Sequence, residues 1–274
     1  MMARRLPLHI GMALGGLLWL VPTVGLLVTA LRPRELFATS GWWQAITRSS
    51  QITLENFQRI LESESIVRSL GNTALITLPA TAGVVIVAAL AAYALAWIEF
   101  PFRDAIFLGV VTMLVVPLQM ALVPVAELYG GLGIFGSILG VVLFHIAFGL
   151  PFAIFLLRNF FAGIPKDLLE AARLDGASEL RIFGRIMLPL GLPAIASLAI
   201  FQFLWVWNDL LVALVFARTA NAPITVAIQS QLRQFGGNID IISAASFVSM
   251  IIPLVVFFAF QRYLAEGLLA GSVK

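Results

Sequence analysis

The sequence predicts an all-α membrane protein whose chain crosses the bilayer six times. Of its 274 residues, 61% are hydrophobic and only 11% are charged, whereas about a quarter of a soluble domain's residues are charged. A further observation is the length of the apolar runs, because six of them exceed the roughly 20 residues that a helix needs to span a bilayer. These runs cover residues 7–31, 70–98, 105–128, 132–157, 188–216 and 241–264.

The first apolar run follows Arg4 and Arg5, as the apolar region of a signal peptide would. Its length of about 25 residues is too great for such a region, and no clear small-residue cleavage site follows it. We therefore expect this run to be a retained transmembrane helix. The remaining five runs complete a chain with an even number of spans.

The distribution of Lys and Arg predicts the orientation of these spans. With the amino terminus inside, most of the 17 basic residues lie in inner segments. Four of the remaining basic residues lie together in the long loop 32–67, where acidic residues accompany them. Both ends are thus expected in the cytoplasm, and residues 158–187 form the largest inner segment. The net charge of +3 is explained by such basic loops without nucleic acid.

We expect one transmembrane domain over residues 1–274. It comprises the first span and outer loop (1–69), the core spans (70–264) and a short cytoplasmic tail (265–274). Within the outer loop, the stretch TLENFQRILES predicts a short amphipathic helix. Prolines inside the apolar runs predict kinks, since each removes a backbone hydrogen bond; they are Pro22, Pro79, Pro117, Pro124, Pro151, Pro193 and Pro253.

The inner segment contains the stretch EAARLDGASELRIFGRIMLPLG, residues 170–191. Pro165 suits the first turn of a helix, where its missing N–H has no cost. Gly176 is a natural C-terminal cap for that helix, and Ser178 is a suitable N-cap for a second one. The pattern predicts a short inner helix at about 165–176, a glycine bend and a helix that leads back into the membrane.

Two small residues, Ala171 and Ala172, give this short helix a low-profile face that another protein can approach closely. An amphipathic helix lying on the inner leaflet explains the same pattern. The residues alone leave both interpretations open.

The spacing of the segment resembles the EAA motif of bacterial ABC importer permeases. That motif reads Glu-Ala-Ala, three residues, Gly, nine residues and Ile-x-Leu-Pro, and it is matched by Glu170, Ala171, Ala172, Gly176, Ile186, Leu188 and Pro189. The stretches RNFFAGIPKDL and FLWVWNDLLVALVF are similar to the carbohydrate-uptake branch. The closing RYLAEGLLAGSVK resembles the tail of the second permease of maltose-type and glycerol-phosphate-type importers, although Leu269 stands where Thr is common.

The resemblance implies a type I ABC importer permease fold in a bacterial inner membrane. It further implies a second permease subunit, two cytoplasmic ATPase subunits and an extracytoplasmic solute-binding protein as partners. The short inner helix becomes the coupling helix, whose expected contacts with the ATPase are Glu170, Ala171, Ala172, Asp175 and Gly176. Further contacts are expected from the tail, at Gly267, Leu268, Ala270, Gly271 and Lys274.

The chain itself lacks the residues for ATP hydrolysis. A P-loop requires a Lys followed by Ser or Thr, but Lys166 is followed by Asp and Lys274 is the last residue. Without cysteine, it also lacks a thiol nucleophile or a cysteine-ligated metal. We expect no catalytic residue, metal or cofactor in this chain, and ATP with Mg²⁺ on the partner subunits.

Polar residues inside the spans are candidates for a translocation path. Asp209, beside Asn208, lies about midway along the fifth run, where a carboxylate costs on the order of 2.5–3.5 kcal/mol and should face the bundle interior or water. The pair either lines the path or its gate, or forms structural hydrogen bonds to a neighbouring helix or a broken turn. Gln119, Asn72 and Gln202 are further path candidates, or else bond between helices. His145 is a proton relay or simply a hydrogen-bonded side chain.

The expected function is the import of a sugar or sugar derivative by alternating access. A stand-alone ion-coupled secondary transporter is the alternative, but it requires coupling carboxylates at mid-membrane, and Asp209 is the one fair candidate. Such a transporter also has no use for the EAA spacing. A purely structural membrane scaffold does not explain the motif either.

Overall fold

The computed structural model describes residues 2–37, 39–47, 51–235 and 238–270, and these residues are predominantly helical. Within this part of the chain no β-strand forms beyond an isolated bridge between Gly136 and Ala217. The helices are α1 (Met2–Ala30), α2 (Gln44–Thr47), α3 (Glu55–Glu62), α4 (Glu64–Trp97), α5 (Arg103–Met113), α6 (Leu118–Gly131), α7 (Ile138–Ala162), α8 (Lys166–Leu174), α9 (Glu179–Ile182), α10 (Leu188–Trp207), α11 (Leu211–Phe216), α12 (Ile224–Phe235) and α13 (Ile239–Ala270).

The predicted all-α membrane class is confirmed. Five helical stretches of the described chain are long and apolar enough to cross a bilayer, and a bent helix pair provides a sixth span if it counts as one. The five stretches are Pro7–Ala30, Glu64–Trp97, Ile138–Ala162, Glu179–Trp207 and Ile239–Tyr263. The short helix predicted in the loop 32–67 is also present, as α3.

The third predicted span, over 105–128, is formed by two helices instead of a single kinked one. Helices α5 and α6 are bent by 100° relative to each other across the break that separates them. Pro117 ends this break in an extended conformation, with φ −63° and ψ 131°. A proline donates no backbone hydrogen bond and disfavours the helical conformation of the residue before it, here Val116. The apolar composition predicted the span, but Pro117 breaks it rather than kinking it.

The fifth predicted span, 188–216, also has different limits. Its helical path begins at Glu179, passes through a π-helical turn at Phe183–Met187 and ends at Trp207. Asn208 is the C-cap of α10, and its side-chain Nδ2 donates to the Leu204 carbonyl at 2.8 Å. The remaining predicted residues, from Leu211 onward, form the separate helix α11.

By its internal contacts the chain divides into two compact units. The first unit comprises residues 1–70 and 226–252. In it, Asn56 Nδ2 donates to the carbonyls of Ala30 and Arg32, at 2.9 and 2.8 Å, and so joins α3 to the end of α1. The fully buried Asp240 of α13 lies 3.6 Å from the guanidinium of Arg59.

The second unit comprises residues 71–225 and 253–274 and contains both hydrophobic clusters that bear on function. One cluster joins α4, α7, α8, α9 and α10 through buried side chains that include Leu157, Phe161, Leu169 and Ile182. The other joins α4, α6, α7, α10 and α11 and is rich in aromatic rings, among them Phe144 and Phe216. The EAA segment is therefore anchored directly in the first of these cores.

Candidate functional site

The predicted short inner helix is present as α8, which follows Pro165 and ends at Leu174. Gly176 has the expected positive φ, 77°. The backbone N–H of Gly176 donates to Arg173 and that of Ala177 donates to Ala172, both at 3.0 Å. These two bonds are those of a Schellman motif, which a left-handed residue closes. Ser178 occupies the N-cap position of α9, as expected, but its side chain makes no capping bond.

Helix α8 has one buried and one exposed face. Leu169 is fully buried in the core, and Ala172 packs against the same cluster. Glu170, Ala171, Asp175 and Gly176 are exposed. The predicted low-profile face is therefore divided, since Ala171 points outward whereas Ala172 contributes mainly to packing within the chain.

Two large apolar side chains accompany the exposed residues of the EAA segment. Leu174 is 89% exposed and Leu168 is 46% exposed. Beside them, Lys166 Nζ lies 2.7 Å from Glu170 Oε1, an exposed pair four residues apart, and its hydrogen bond raises the pKa of Lys166. Such surface pairs contribute little to stability. The Glu170 carboxylate thus remains accessible to a protein that covers this face.

A polar cluster that we call the Arg173 hub holds α8 against the rest of the unit. Arg173 Nε donates to Glu179 Oε1 at 2.9 Å, and Arg173 Nη2 donates to the Trp97 carbonyl at 3.1 Å. The Tyr93 hydroxyl donates to Glu179 Oε2 at 2.5 Å. The hydrogen bond with Glu179 raises the pKa of Arg173.

The hub connects several helices. Tyr93 and Trp97 belong to the end of α4, Arg173 to α8 and Glu179 to the start of α9. Trp97 Nε1 also donates to the carbonyl of Phe161 in α7, at 3.0 Å. Sequence reasoning missed this cluster; the available signal was the opposite charges of Arg173 and Glu179 on either side of the glycine bend.

Asp209 lies in the break between α10 and α11. Its carboxylate accepts from the backbone N–H groups of Val212 at 3.3 Å and Ala213 at 3.1 Å. One of its oxygens, Oδ2, lies 3.6 Å from Nε2 of the buried His145. These contacts match the structural interpretation of Asp209, which bonds to a broken turn beside another helix. Its role in a translocation path stays a prediction.

The other path candidates are dispersed. Asn72 Nδ2 donates to the carbonyls of Ala220 and Ala222, at 3.1 and 3.2 Å, and so anchors the loop before α12. Asn208 is exposed at the end of α10, and Gln119 is exposed in the first turn of α6. Asn208 and Asp209 are adjacent in the chain.

The tail residues predicted to contact the ATPase lie at the end of α13 and beyond it. Gly267, Leu268 and Ala270 fall in the last turns of α13, which ends at Ala270. Gly271 and Lys274 lie outside the described residues. Their contact with an ATPase therefore stays a prediction.

The fold and the exposed α8 define a class, the polytopic membrane permeases with a helix displayed between two spans. The chain belongs to the family of binding-protein-dependent transport system inner membrane components, whose family model matches residues 85–269. This match confirms the resemblance drawn from the EAA spacing. It supports an ABC transport permease over a stand-alone secondary transporter.

Curated relatives match along nearly the whole chain. An osmoprotective compounds uptake permease protein of Synechocystis sp. is 47% identical over 276 residues, which cover 99% of this chain and 93% of the relative. An alpha-glucoside transport system permease protein of Rhizobium meliloti is 37% identical over an alignment 375 residues long, which covers 99% of this chain and 99% of the relative. A trehalose transport system permease protein of Mycobacterium tuberculosis is 34% identical over 82% of this chain and 83% of its own length.

Solved structures share the fold. A bacterial ABC transporter involved in the import of the acidic polysaccharide alginate contains a chain that superposes with a TM-score of 0.78. The two chains are 22% identical, and the match covers 95% of this chain and 96% of the other. This similarity confirms the predicted type I ABC importer permease fold.

Proposed function

We propose that this chain is the permease subunit of an importer for a neutral sugar, glycoside or similar osmoprotective compound. The substrate class is supported by the names of the relatives, which mention osmoprotective compounds, alpha-glucosides and trehalose. In this proposal the subunit lies in the inner membrane with both termini in the cytoplasm. Its partners are a second permease, two ATPase subunits that bind ATP and Mg²⁺, and an extracytoplasmic binding protein.

The main observation behind the proposal is that one face of α8 is exposed. Leu174 is almost fully exposed although it is a large apolar side chain, and Glu170 and Ala171 are exposed beside it. Burying apolar surface stabilises an interface by about 25 cal/mol per Å². Contact with a partner that covers Leu174 and pairs with the Glu170 carboxylate is therefore more favourable for this face than contact with water.

The contacts of α8 provide a route for transmitting motion. Leu169 inserts from α8 into the core formed with α7, α9 and α10, and the Arg173 hub connects α8 to the end of α4. A displacement of α8 by an ATPase subunit is thereby passed to the spanning helices as a rigid-body movement. Alternating access then follows from ATPase closure and opening.

The proposal is tested by reconstitution in vesicles with the second permease, the ATPase and the binding protein. We expect ATP-dependent uptake of a labelled alpha-glucoside or trehalose, and co-purification of an untagged ATPase with this chain. Glu170→Ala should weaken ATPase capture about tenfold or more, since a hydrogen bond to a charged group contributes about 1.5–3 kcal/mol. Lys166→Ala, which removes the exposed partner on the same helix, is the matched control and should leave capture nearly unchanged.

Uptake without ATP, driven by an ion gradient, would contradict the proposal. So would equal capture of the ATPase by wild-type protein and Glu170→Ala.

A further inference from the structure

Arg158 lies near the end of α7 that leads to α8, and its guanidinium packs on an aromatic ring of α5. Its Cζ atom is 4.5 Å from the ring centroid of Phe107. The same ring stacks on that of Phe155, three residues before Arg158 in α7, with centroids 6.3 Å apart. A cation–π contact attracts a cation without neutralising its charge. The two phenylalanines therefore hold a charged guanidinium at a fixed place where α5 meets α7.

The guanidinium of Arg158 has no ion pair or hydrogen bond within the described part of the chain. Its Nε is buried, whereas Nη1 and Nη2 keep accessible surface. The donors of a guanidinium form a planar fork that matches the oxygens of a phosphate or carboxylate group. The Nη donors are thus suited to an anion from outside the chain, and a ligand can reach them.

The position of Arg158 along the chain indicates where that anion comes from. The residue directly follows the apolar run 132–157 and begins the predicted inner segment 158–187. An arginine at the end of a spanning helix extends its charge toward the phospholipid headgroups. The inner leaflet carries anionic lipids, which attract basic side chains at this level.

Apolar side chains exposed on the same two helices match the other part of a lipid. Leu108 of α5 is 66% exposed, and Phe152 and Phe155 of α7 are also exposed. Phe152 and Phe155 are three residues apart and therefore neighbours on one face of the helix. Acyl chains of a lipid whose phosphate binds Arg158 can cover this surface, which a small soluble anion cannot do.

The turn that leads into α5 gives a second, independent indication. Phe102 has a φ of 62°, a conformation that bulky residues rarely adopt, and its ring is 80% exposed. Such backbone strain is concentrated at functional sites. An exposed aromatic ring at the end of an apolar helix suits the boundary between headgroups and acyl chains. This end of α5 therefore has the character of a membrane-facing surface.

We propose that Arg158 binds the phosphate of an anionic phospholipid of the inner leaflet where α5 meets α7. The lipid is a bound partner and not the transported solute, so the inference goes beyond the proposed function. Arg103, at the start of α5, is less suited to this role because its Nε lies 3.4 Å from Asp104 Oδ1. A bound lipid would fix the inner end of α7 beside α8.

The test titrates the purified complex with phosphatidylglycerol and, separately, with phosphatidylcholine, and counts bound lipids by native mass spectrometry. We expect Arg158→Gln to raise the Kd of the tightest phosphatidylglycerol about tenfold, because charge-assisted hydrogen bonds are lost. Binding of phosphatidylcholine, which has no net charge, should not change. Arg158→Lys keeps the charge without the fork and should raise the Kd about threefold.

Arg262→Gln is the matched control. Arg262 is another exposed arginine over an aromatic ring, 4.6 Å from the centroid of Tyr263, but its Nη2 already donates to the Tyr263 hydroxyl. Its substitution removes the same charge and should leave the tightest phosphatidylglycerol in place. Co-purification of the second permease reports whether each variant assembles. If Arg158→Gln does not insert, the comparison of wild type with Arg158→Lys decides the question.

Three results would overturn the inference. The first is wild-type affinity for phosphatidylglycerol in both Arg158 variants. The second is displacement of the lipid by inorganic phosphate, which would assign the guanidinium to a soluble anion. The third is loss of the second permease from Arg158→Gln with insertion intact, which would make Arg158 a subunit contact. Binding is measured without transport, so these results leave the proposed function intact, whereas a wild-type complex that imports no sugar contradicts that function alone.

Discussion

Gly176 shows how one backbone conformation shapes the surface of α8. Its φ of 77° closes the helix and turns the chain toward α9. A Cβ atom at Gly176 would meet nothing within 4 Å in this chain. The consequences of a side chain are therefore backbone strain and bulk at a surface where a partner would dock, and not a clash inside the subunit.

We accordingly expect Gly176→Leu to abolish uptake while membrane insertion stays normal. A left-handed residue with a side chain costs about 1–2 kcal/mol, but Asn tolerates this conformation better than other residues. Gly176→Asn should therefore retain more uptake than Gly176→Leu. The measurements are uptake, binding-protein-stimulated ATP hydrolysis and ATPase capture. Wild-type values of all three for Gly176→Leu would reduce the segment to an ordinary loop.

Arg173 is the second residue whose role is local and testable. Its side chain bonds to Glu179 and to the Trp97 carbonyl, so it connects α8 to two other helices. The side chains of Arg173 and Glu179 are 34% and 43% exposed, and solvent screening reduces their contribution to stability. Substitution of Arg173 or Glu179 should therefore affect the coupling of α8 to the spanning helices more than it affects folding.

We expect Arg173→Met to lower uptake about tenfold, the factor that corresponds to about 1.4 kcal/mol, with ATP hydrolysis largely preserved. Glu179→Gln should have a smaller effect, and the double variant should resemble Arg173→Met, since both act through one contact. Arg181→Met, at an exposed position of the same segment, is the control. Equal losses of uptake and hydrolysis would assign the hub to assembly instead.

At the scale of elements, the breaks in the spans are the main departures from the apolar pattern. Pro117 separates α5 from α6. Asn208 and Asp209 separate α10 from α11 through side-chain bonds to Leu204, Val212 and Ala213. In each case a few polar or cyclic residues end a helix that hydrophobicity alone would continue.

The carboxylate of Asp209 should stabilise the start of α11 as a capping group does. We expect Asp209→Leu to lower the stability of the solubilised complex by about 0.5–2 kcal/mol, the range for loss of a cap. Asp209→Asn, which keeps one acceptor oxygen, should lose less. Thermal unfolding in detergent measures both. Equal stability of Asp209→Leu and wild type would refute the capping role and favour a role in transport.

The orientation of the whole molecule in the membrane is predicted by its charge pattern, whereas the fold alone does not determine it. Because the native chain has no cysteine, single-cysteine labelling is clean. In intact cells, an impermeant thiol reagent should label Ser63→Cys, in the predicted outer loop, and not Ser178→Cys, in the EAA segment. Both variants should react after permeabilisation. Labelling of Ser178→Cys in intact cells would reverse the orientation.

The amino-acid sequence by itself determined the class, the approximate spans, the short helix α8 and its glycine cap. These features depend on composition and on residues close together in the chain. Apolar length predicts a span wherever it occurs, and a positive φ at Gly176 follows from local backbone preferences. The EAA spacing indicated the family for the same reason, because its seven positions lie within one continuous segment of the chain.

Only the tertiary structure decided which distant residues meet. Tyr93 and Glu179 are 86 positions apart, and Gly149 leaves room for the side-chain amide of Gln202. The structure also assigned Ala171 to the surface and Ala172 to the core, because the orientation of α8 depends on the insertion of Leu169 among other helices. Periodicity within one helix describes its faces, but the packing of the neighbouring helices determines which face is buried.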